Sequence, residues 1–134
     1  MRNEEIVVSF EGGMRVDARV GEYTVATDQS ADKGGQGSAP NPFQLFLASL
    51  ATCSGIYALR FCESRKIDTT GLRLVMRTEL DASGKRIGKV TMELGLPAAF
   101  PEKYRGAIVR AVDLCTVKKH ILTPPEFVVE VATA

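Results

Sequence analysis

The sequence predicts an α+β domain of order βββ-α-ββ-α-β. Three observations predict it. Strand-like runs cluster in two blocks instead of alternating with helices. A long uncharged helical segment separates those blocks, and a second helical periodicity lies near the C-terminal end. Two helices so far apart are too few for a doubly wound parallel sheet. A length of 134 residues fits one domain over residues 1–134.

Ile6 to Phe10 is strand-like, and Met14 to Val20 alternates, with Met14, Val16, Ala18 and Val20 on one side and Arg15, Asp17 and Arg19 on the other. Gly12-Gly13 between them reads as a hairpin turn, and Tyr23 to Thr27 as a third strand. Asp32 to Ala39 is a Gly-rich loop that matches neither G-x-G-x-x-G nor a Walker sequence, so nucleotide binding is not expected. Asn41 then supplies a helix cap, and Pro42 suits a first helical position because it needs no backbone donor there. The helix is predicted to run to about Lys66. From Gly34 to Leu59 no side chain is charged, which is long enough to span a bilayer. The glycines, Pro40 and Pro42, and the polar Gln44, Ser49, Thr52 and Ser54 within it favour a central helix buried by protein instead.

The second block follows. Leu72, Leu74 and Met76 alternate with Arg73, Val75 and Arg77; Asp81 to Lys85 makes a turn, and Ile87 to Leu94 returns. The second helix is predicted over Glu102 to about Leu122, with Tyr104, Ala107, Ile108, Ala111, Val112 and Cys115 as its buried stripe. Pro124-Pro125 ends it, and Phe127 to Val131 reads as a final strand.

Composition narrows the function classes. Seventeen Lys plus Arg against sixteen Asp plus Glu leave a charge of +1, so nothing favours a nucleic acid or an anionic membrane as partner. Six Phe, three Tyr and no Trp make a poor base-stacking platform. One His and three dispersed Cys lack zinc spacing, so no metal cofactor is expected. The N-terminus shows no signal peptide, and three cysteines in ordinary composition suit a reducing compartment, which makes the cytoplasm the expected location.

The cysteines carry the remaining information. At about 100° per residue, Cys53 and Cys62 point to opposite sides of the first helix and cannot pair within it. Cys53 shares a face with Phe46, Leu50, Ile56 and Tyr57, which is expected to point into the core. Cys115 ends the stripe of the second helix. Two buried helices in a small domain allow Cys53 and Cys115 to face each other. They are then either small core hydrophobes or a reactive pair, in which one thiolate attacks an electrophile and the other resolves the product as a disulfide. Cys62 has no assigned role. His120 lies about 140° around from Cys115 and reads as a residue of the last helical turn, where a cation suits the dipole; Lys118 and Lys119 have the same explanation.

Asn41-Pro42-Phe43-Gln44-Leu45-Phe46 followed by Leu47-Ala48-Ser49-Leu50-Ala51-Thr52-Cys53 resembles the first-cysteine helix of the OsmC/Ohr superfamily, osmotically inducible protein C and organic hydroperoxide resistance protein. Gly34-Gly35-Gln36-Gly37 resembles its Gly-rich loop, and Cys115-Thr116-Val117-Lys118-Lys119 its second motif. The resemblance implies an OsmC-like fold: an intertwined homodimer with two central helices and active sites at the subunit interface. It implies a thiol-dependent peroxidase that reduces organic hydroperoxides and takes electrons from a dithiol, with no metal or organic cofactor. Cys53 would become the sulfenic acid and Cys115 would resolve it. Arg15, with Arg19 as the alternative, would supply positive charge. Phe43, Phe46, Leu50 and Tyr57 would line an apolar substrate pocket.

Two positions depart from the family pattern. Phe43 stands where peroxidase members commonly have a Glu that orients the arginine, and Phe accepts no hydrogen bond from guanidinium. Thr116 replaces the usual Pro after the second cysteine, and Thr is acceptable in a first helical turn. The alternative implied by Phe43 is a binding or redox-sensing protein with an apolar pocket and little turnover.

Overall fold

The computed structural model describes residues 1–132. It holds five strands, β1 (Ile6–Gly12), β2 (Arg15–Val20), β3 (Tyr23–Val25), β4 (Arg73–Leu80) and β5 (Ile87–Gly95), and three α-helices, α1 (Pro42–Ser64), α2 (Arg105–Val112) and α3 (Thr116–Leu122). The chain divides into two compact units, Met1–Ala48 and Ser49–Ala134.

In the first unit β1, β2 and β3 form an antiparallel sheet in that order. The β1–β2 connection turns at Gly12 and Gly13, both at positive φ (102° and 58°), a conformation that β-branched or bulky residues avoid. Thr27 extends the β2–β3 pairing toward this hairpin: Val16 N–H donates to Thr27 O, and the Thr27 hydroxyl donates to Val16 O.

The loop between β3 and α1 is organised by Asp28, which is buried. Its carboxylate accepts from Gln29 N–H (2.7 Å), Ser38 N–H (3.1 Å), Ser38 Oγ (2.6 Å) and Gln36 N–H (3.3 Å). The Ser38 hydroxyl, followed by the Ser38 and Gln29 amides, holds the carboxyl down at about 2, against the opposing effect of burial. Gly35 is obligatory here, because a Cβ at this position would sit 2.0 Å from the carbonyl oxygen of Gln29. Helix α1 then starts on a reciprocal capping box. Gln44 N–H donates to Asn41 Oδ1 (2.8 Å), and Asn41 N–H donates to Gln44 Oε1 (3.0 Å).

The 23-residue α1 is long and apolar enough to cross a membrane by length and composition. Its buried residues, however, are Leu50, Ser54, Ala58, Phe61 and Cys62, spaced along one stripe. Lys66, at φ 54°, turns the chain out of the helix, and Ile67 N–H bonds back to Cys62 O.

The second unit carries the main core, in which Ala58, Phe61, Cys62, Phe100, Ile108 and Val112 are buried. Phe61 anchors it, stacked on Phe100 (6.5 Å between centroids) and edge-on to Tyr104 (5.9 Å), with the Arg65 guanidinium 3.7 Å over its outer side. Strands β4 and β5 pair antiparallel, placing Leu74 opposite Leu94 and Met76 opposite Met92, and Leu74, Met92 and Leu94 pack against the core.

Three expectations need correction. The stretch predicted as one helix over Glu102 to Leu122 is a 3-10 turn at Glu102–Tyr104, then α2, then α3, broken at Cys115. Cys115 has φ −47° and ψ 124°, so it caps α3 instead of continuing α2. The apolar stripe runs through the break because its spacing survives a short non-helical link. Phe127 to Val131 forms no strand, and these residues are exposed: a strand exists only by pairing, and among the described residues none pairs with this segment. Finally, the core-facing cysteine of α1 is Cys62, fully buried, whereas Cys53 is partly exposed. The inward stripe is set by the partners α1 finds, not by its own periodicity, since nearly every side of this helix is apolar.

Candidate active site

Cys53 comes from the middle of α1 and Cys115 from the link between α2 and α3. All three thiols are free. Cys115 is fully buried, and its position is fixed twice: Sγ accepts the Lys118 N–H at 3.5 Å as the cap of α3, and the thiol reaches Leu50 O at 3.9 Å. Because Leu50 lies three residues before Cys53 on α1, this contact brings the Cys115 sulfur against the turn of helix that bears Cys53.

Cys53 therefore sits at the start of α3. Burial works against ionising its thiol, but four donors outweigh burial: the Val117 N–H, the Cys115 thiol, the Thr116 N–H and the Thr116 hydroxyl together hold Cys53 below the ordinary thiol value. Cys53 is partly open to solvent, on the turn of α1 against which the buried Cys115 sulfur packs. The Thr116 hydroxyl is itself bonded to Tyr57 Oη at 2.9 Å. Cys62 has the opposite chemistry, since burial pushes its thiol up and the nearby Arg65 only partly offsets this.

An apolar cavity of about 570 Å³ adjoins this arrangement. Leu50 and Ser54 of α1, Met92 and Leu94 of β5, and Ile108 and Val112 of α2 supply much of its wall. Two cations at its lining are neutralised locally, Arg105 by Glu102 (2.7 Å) and Lys118 by Asp113. The cavity thus suits an uncharged organic group.

The remaining predicted residues are placed as follows. Leu50 lines the cavity and touches Cys115. Tyr57 directs its hydroxyl to Thr116. Phe43 and Phe46 stack on each other in the first unit, 5.6 Å between centroids, and both are exposed. Arg15, also in the first unit, donates from Nη2 to both carboxylate oxygens of Asp17 (3.1 and 3.0 Å), and its buried Nε has no partner. Asp17 is buried, although alternation set it on the polar side of β2 with Arg15 and Arg19. His120 is exposed and bonds through Nδ1 to Thr116 O (2.7 Å). Among the described residues, no group of three or more His, Cys, Asp or Glu could hold a metal ion.

Sequence reasoning missed two polar contacts, that of Tyr57 Oη with Thr116 Oγ1 in the second unit and that of Arg15 with Asp17 in the first. For Asp17 a signal existed, since residues two apart on a strand share a face and opposite charges there attract. For Tyr57 and Thr116, 59 residues apart, no local signal exists.

Known proteins agree with this architecture. None of the curated proteins matches the chain in sequence. Its fold is similar to an osmotic stress induced and detoxification response protein from Psychrobacter arcticus 273-4, at 22% identity and TM-score 0.67, covering 89% of this chain and 87% of that one. It is also similar to the organic hydroperoxide resistance protein OsmC from Legionella pneumophila (21%, 0.58, 90% of both chains) and to OhrB of Bacillus subtilis (17%, 0.51, 89% and 90%). The family model for OsmC-like protein matches residues 35–130, and with most of its length matched the chain belongs to the OsmC-like protein family.

Proposed function

We propose that the protein is a thiol-dependent peroxidase that reduces organic hydroperoxides. One observation carries this reading: a free, partly exposed Cys53 stands on the turn of α1 against which a buried second thiol, Cys115, packs at 3.9 Å from Leu50 O. Exposure suits the sulfur that must meet the peroxide, and burial suits the one that must wait for the product.

In the proposed cycle the Cys53 thiolate attacks the terminal peroxide oxygen. The S–O bond forms as the O–O bond breaks, and the alkoxide leaves and takes up a proton as alcohol. The Cys115 thiol then attacks the sulfenic sulfur, forming the Cys53–Cys115 disulfide and releasing water. A dithiol reductant returns both thiols and becomes a cyclic disulfide. The cavity beside Leu50 supports an organic over an inorganic substrate. By family resemblance Arg15 is the expected countercharge, with Arg19 as the alternative, and Asp17 supplies the carboxylate partner that Phe43 cannot. The cycle needs thiols kept reduced, as in the cytoplasm. The exposed apolar residues Ile6, Val7 and Phe10 of β1, and Phe127, Val128, Val129 and Val131 beyond α3, support a homodimer in which a second copy covers them.

The test is consumption of cumene hydroperoxide with a dithiol donor. Wild type should turn over. Cys53→Ser should lose at least about a hundredfold in rate, and Cys115→Ser should accumulate sulfenic acid without the disulfide. Equal turnover by wild type and Cys53→Ser sinks the reading. A single stoichiometric oxidation of Cys53 with no further turnover favours the binding or sensing alternative.

A further inference from the structure

We infer that Tyr57 and Thr116 form a two-hydroxyl donor relay that stabilises the Cys53 thiolate, Thr116 donating to Cys53 Sγ and Tyr57 donating to Thr116 Oγ1. The inference deepens the reading of Cys53 as the attacking thiol and rests on it for its catalytic meaning.

The Tyr57 and Thr116 oxygens are 2.9 Å apart, so one must donate to the other. A hydroxyl has one hydrogen to give and two lone pairs to receive. A thiolate only accepts. Thr116 follows Cys115, whose sulfur packs on the turn of α1 that bears Cys53, and it bonds Tyr57 one turn further along the same side, so an ionised Cys53 draws the Thr116 hydrogen toward its sulfur. The Tyr57 hydrogen is then the one between the two oxygens. Donating to Thr116 polarises its O–H and strengthens the bond to sulfur.

The relay's geometry is held from both ends. Thr116 is the first residue of α3, immediately after the Cys115 cap, so its position is locked to that of the second thiol. Tyr57 stands one helical turn after Cys53 on α1, so the two share a side of that helix. The tyrosine thus ties α3 to α1 at the level of the reactive sulfur. In this relay Thr116 is the donor to the reacting sulfur, and Tyr57 is a positioning residue that acts through it. The Pro usual in the family motif has no hydroxyl to give, so the relay is a property of this chain's own residues.

The test reads the thiolate directly, apart from peroxidase turnover. Iodoacetamide labelling of Cys53 is followed by peptide mass spectrometry from pH 5 to 10 in wild type, Thr116→Val, Thr116→Ser and Tyr57→Phe. Thr116→Val should move the midpoint up by about one pH unit and cut labelling at neutral pH about tenfold. Thr116→Ser should keep the wild-type midpoint, and Tyr57→Phe should move it up by a smaller amount, about threefold in neutral-pH labelling. Circular dichroism confirms that each variant folds; Thr116→Val is close in shape, and the serine variant separates a lost hydroxyl from lost packing. An unchanged midpoint in Thr116→Val overturns the relay, and an unchanged midpoint in Tyr57→Phe removes Tyr57 from it. Wild type with these shifts but no peroxide turnover would overturn the peroxidase reading and leave the relay standing.

Discussion

Cys53 and Cys62 stand nine residues apart on one helix, yet their surroundings drive their thiols in opposite directions, Cys53 down and Cys62 up. Half a turn of net rotation separates a partly exposed sulfur from one sealed in the hydrocarbon core. At neutral pH, labelling of the native protein should reach Cys53 at least tenfold faster than Cys62. Peptide-resolved alkylation measures this, and the contrast should vanish in guanidinium chloride.

Cys62 is expected to be structural. Cys62→Ala should leave peroxide turnover within about twofold of wild type and lower stability by about 1–2 kcal/mol, the usual consequence of a small core void. Urea unfolding and the cumene hydroperoxide assay together check it. A large loss of turnover without a loss of stability would instead give Cys62 a part in the chemistry.

Phe61 carries the packing of the second unit through Phe100, Tyr104 and Arg65. Phe61→Ala should cost about 3–5 kcal/mol. The conservative Phe61→Leu should recover most of that in the same denaturation series.

Asp28 makes the loop before α1 sensitive to acid. Its folded value of about 2 lies below the ordinary 3.8, so the carboxylate form is the one that folding stabilises. The stabilisation is complete above about pH 4 and disappears as the pH falls through about 2. Asp28→Asn presents an amide NH₂ where amide and hydroxyl donors converge, and it should speed proteolysis of the 29–40 loop at pH 7. The difference from wild type should narrow between pH 4 and 2, as limited digestion with an acid-active protease would show.

Gly35→Ala tests the same loop by crowding. A methyl group 2.0 Å from the Gln29 carbonyl cannot be accommodated without moving backbone, so a loss of about 1–3 kcal/mol is expected in thermal unfolding. Wild-type stability in this variant would mean that the loop adopts another path.

The hairpin at Gly12-Gly13, the Asn41 cap, the β4–β5 turn and the long apolar helix were legible because each depends on residues within a few positions of one another. Local chemistry of this kind, glycine at positive φ or a side chain capping a free N–H, needs no tertiary partner. The motifs around Cys53 and Cys115 likewise marked the family. The sequence by itself thus determined the α+β class, most of the elements and the family. Tertiary structure alone decided which face of α1 is buried, because a helix apolar nearly all round has no preferred side until its neighbours pack. It also decided that the second helix breaks at Cys115, that Phe127 to Val131 finds no strand partner within the described residues, and that the Tyr57 hydroxyl meets Thr116. The last of these is a contact between groups 59 residues apart, and no local spacing rule encodes a meeting that only folding creates.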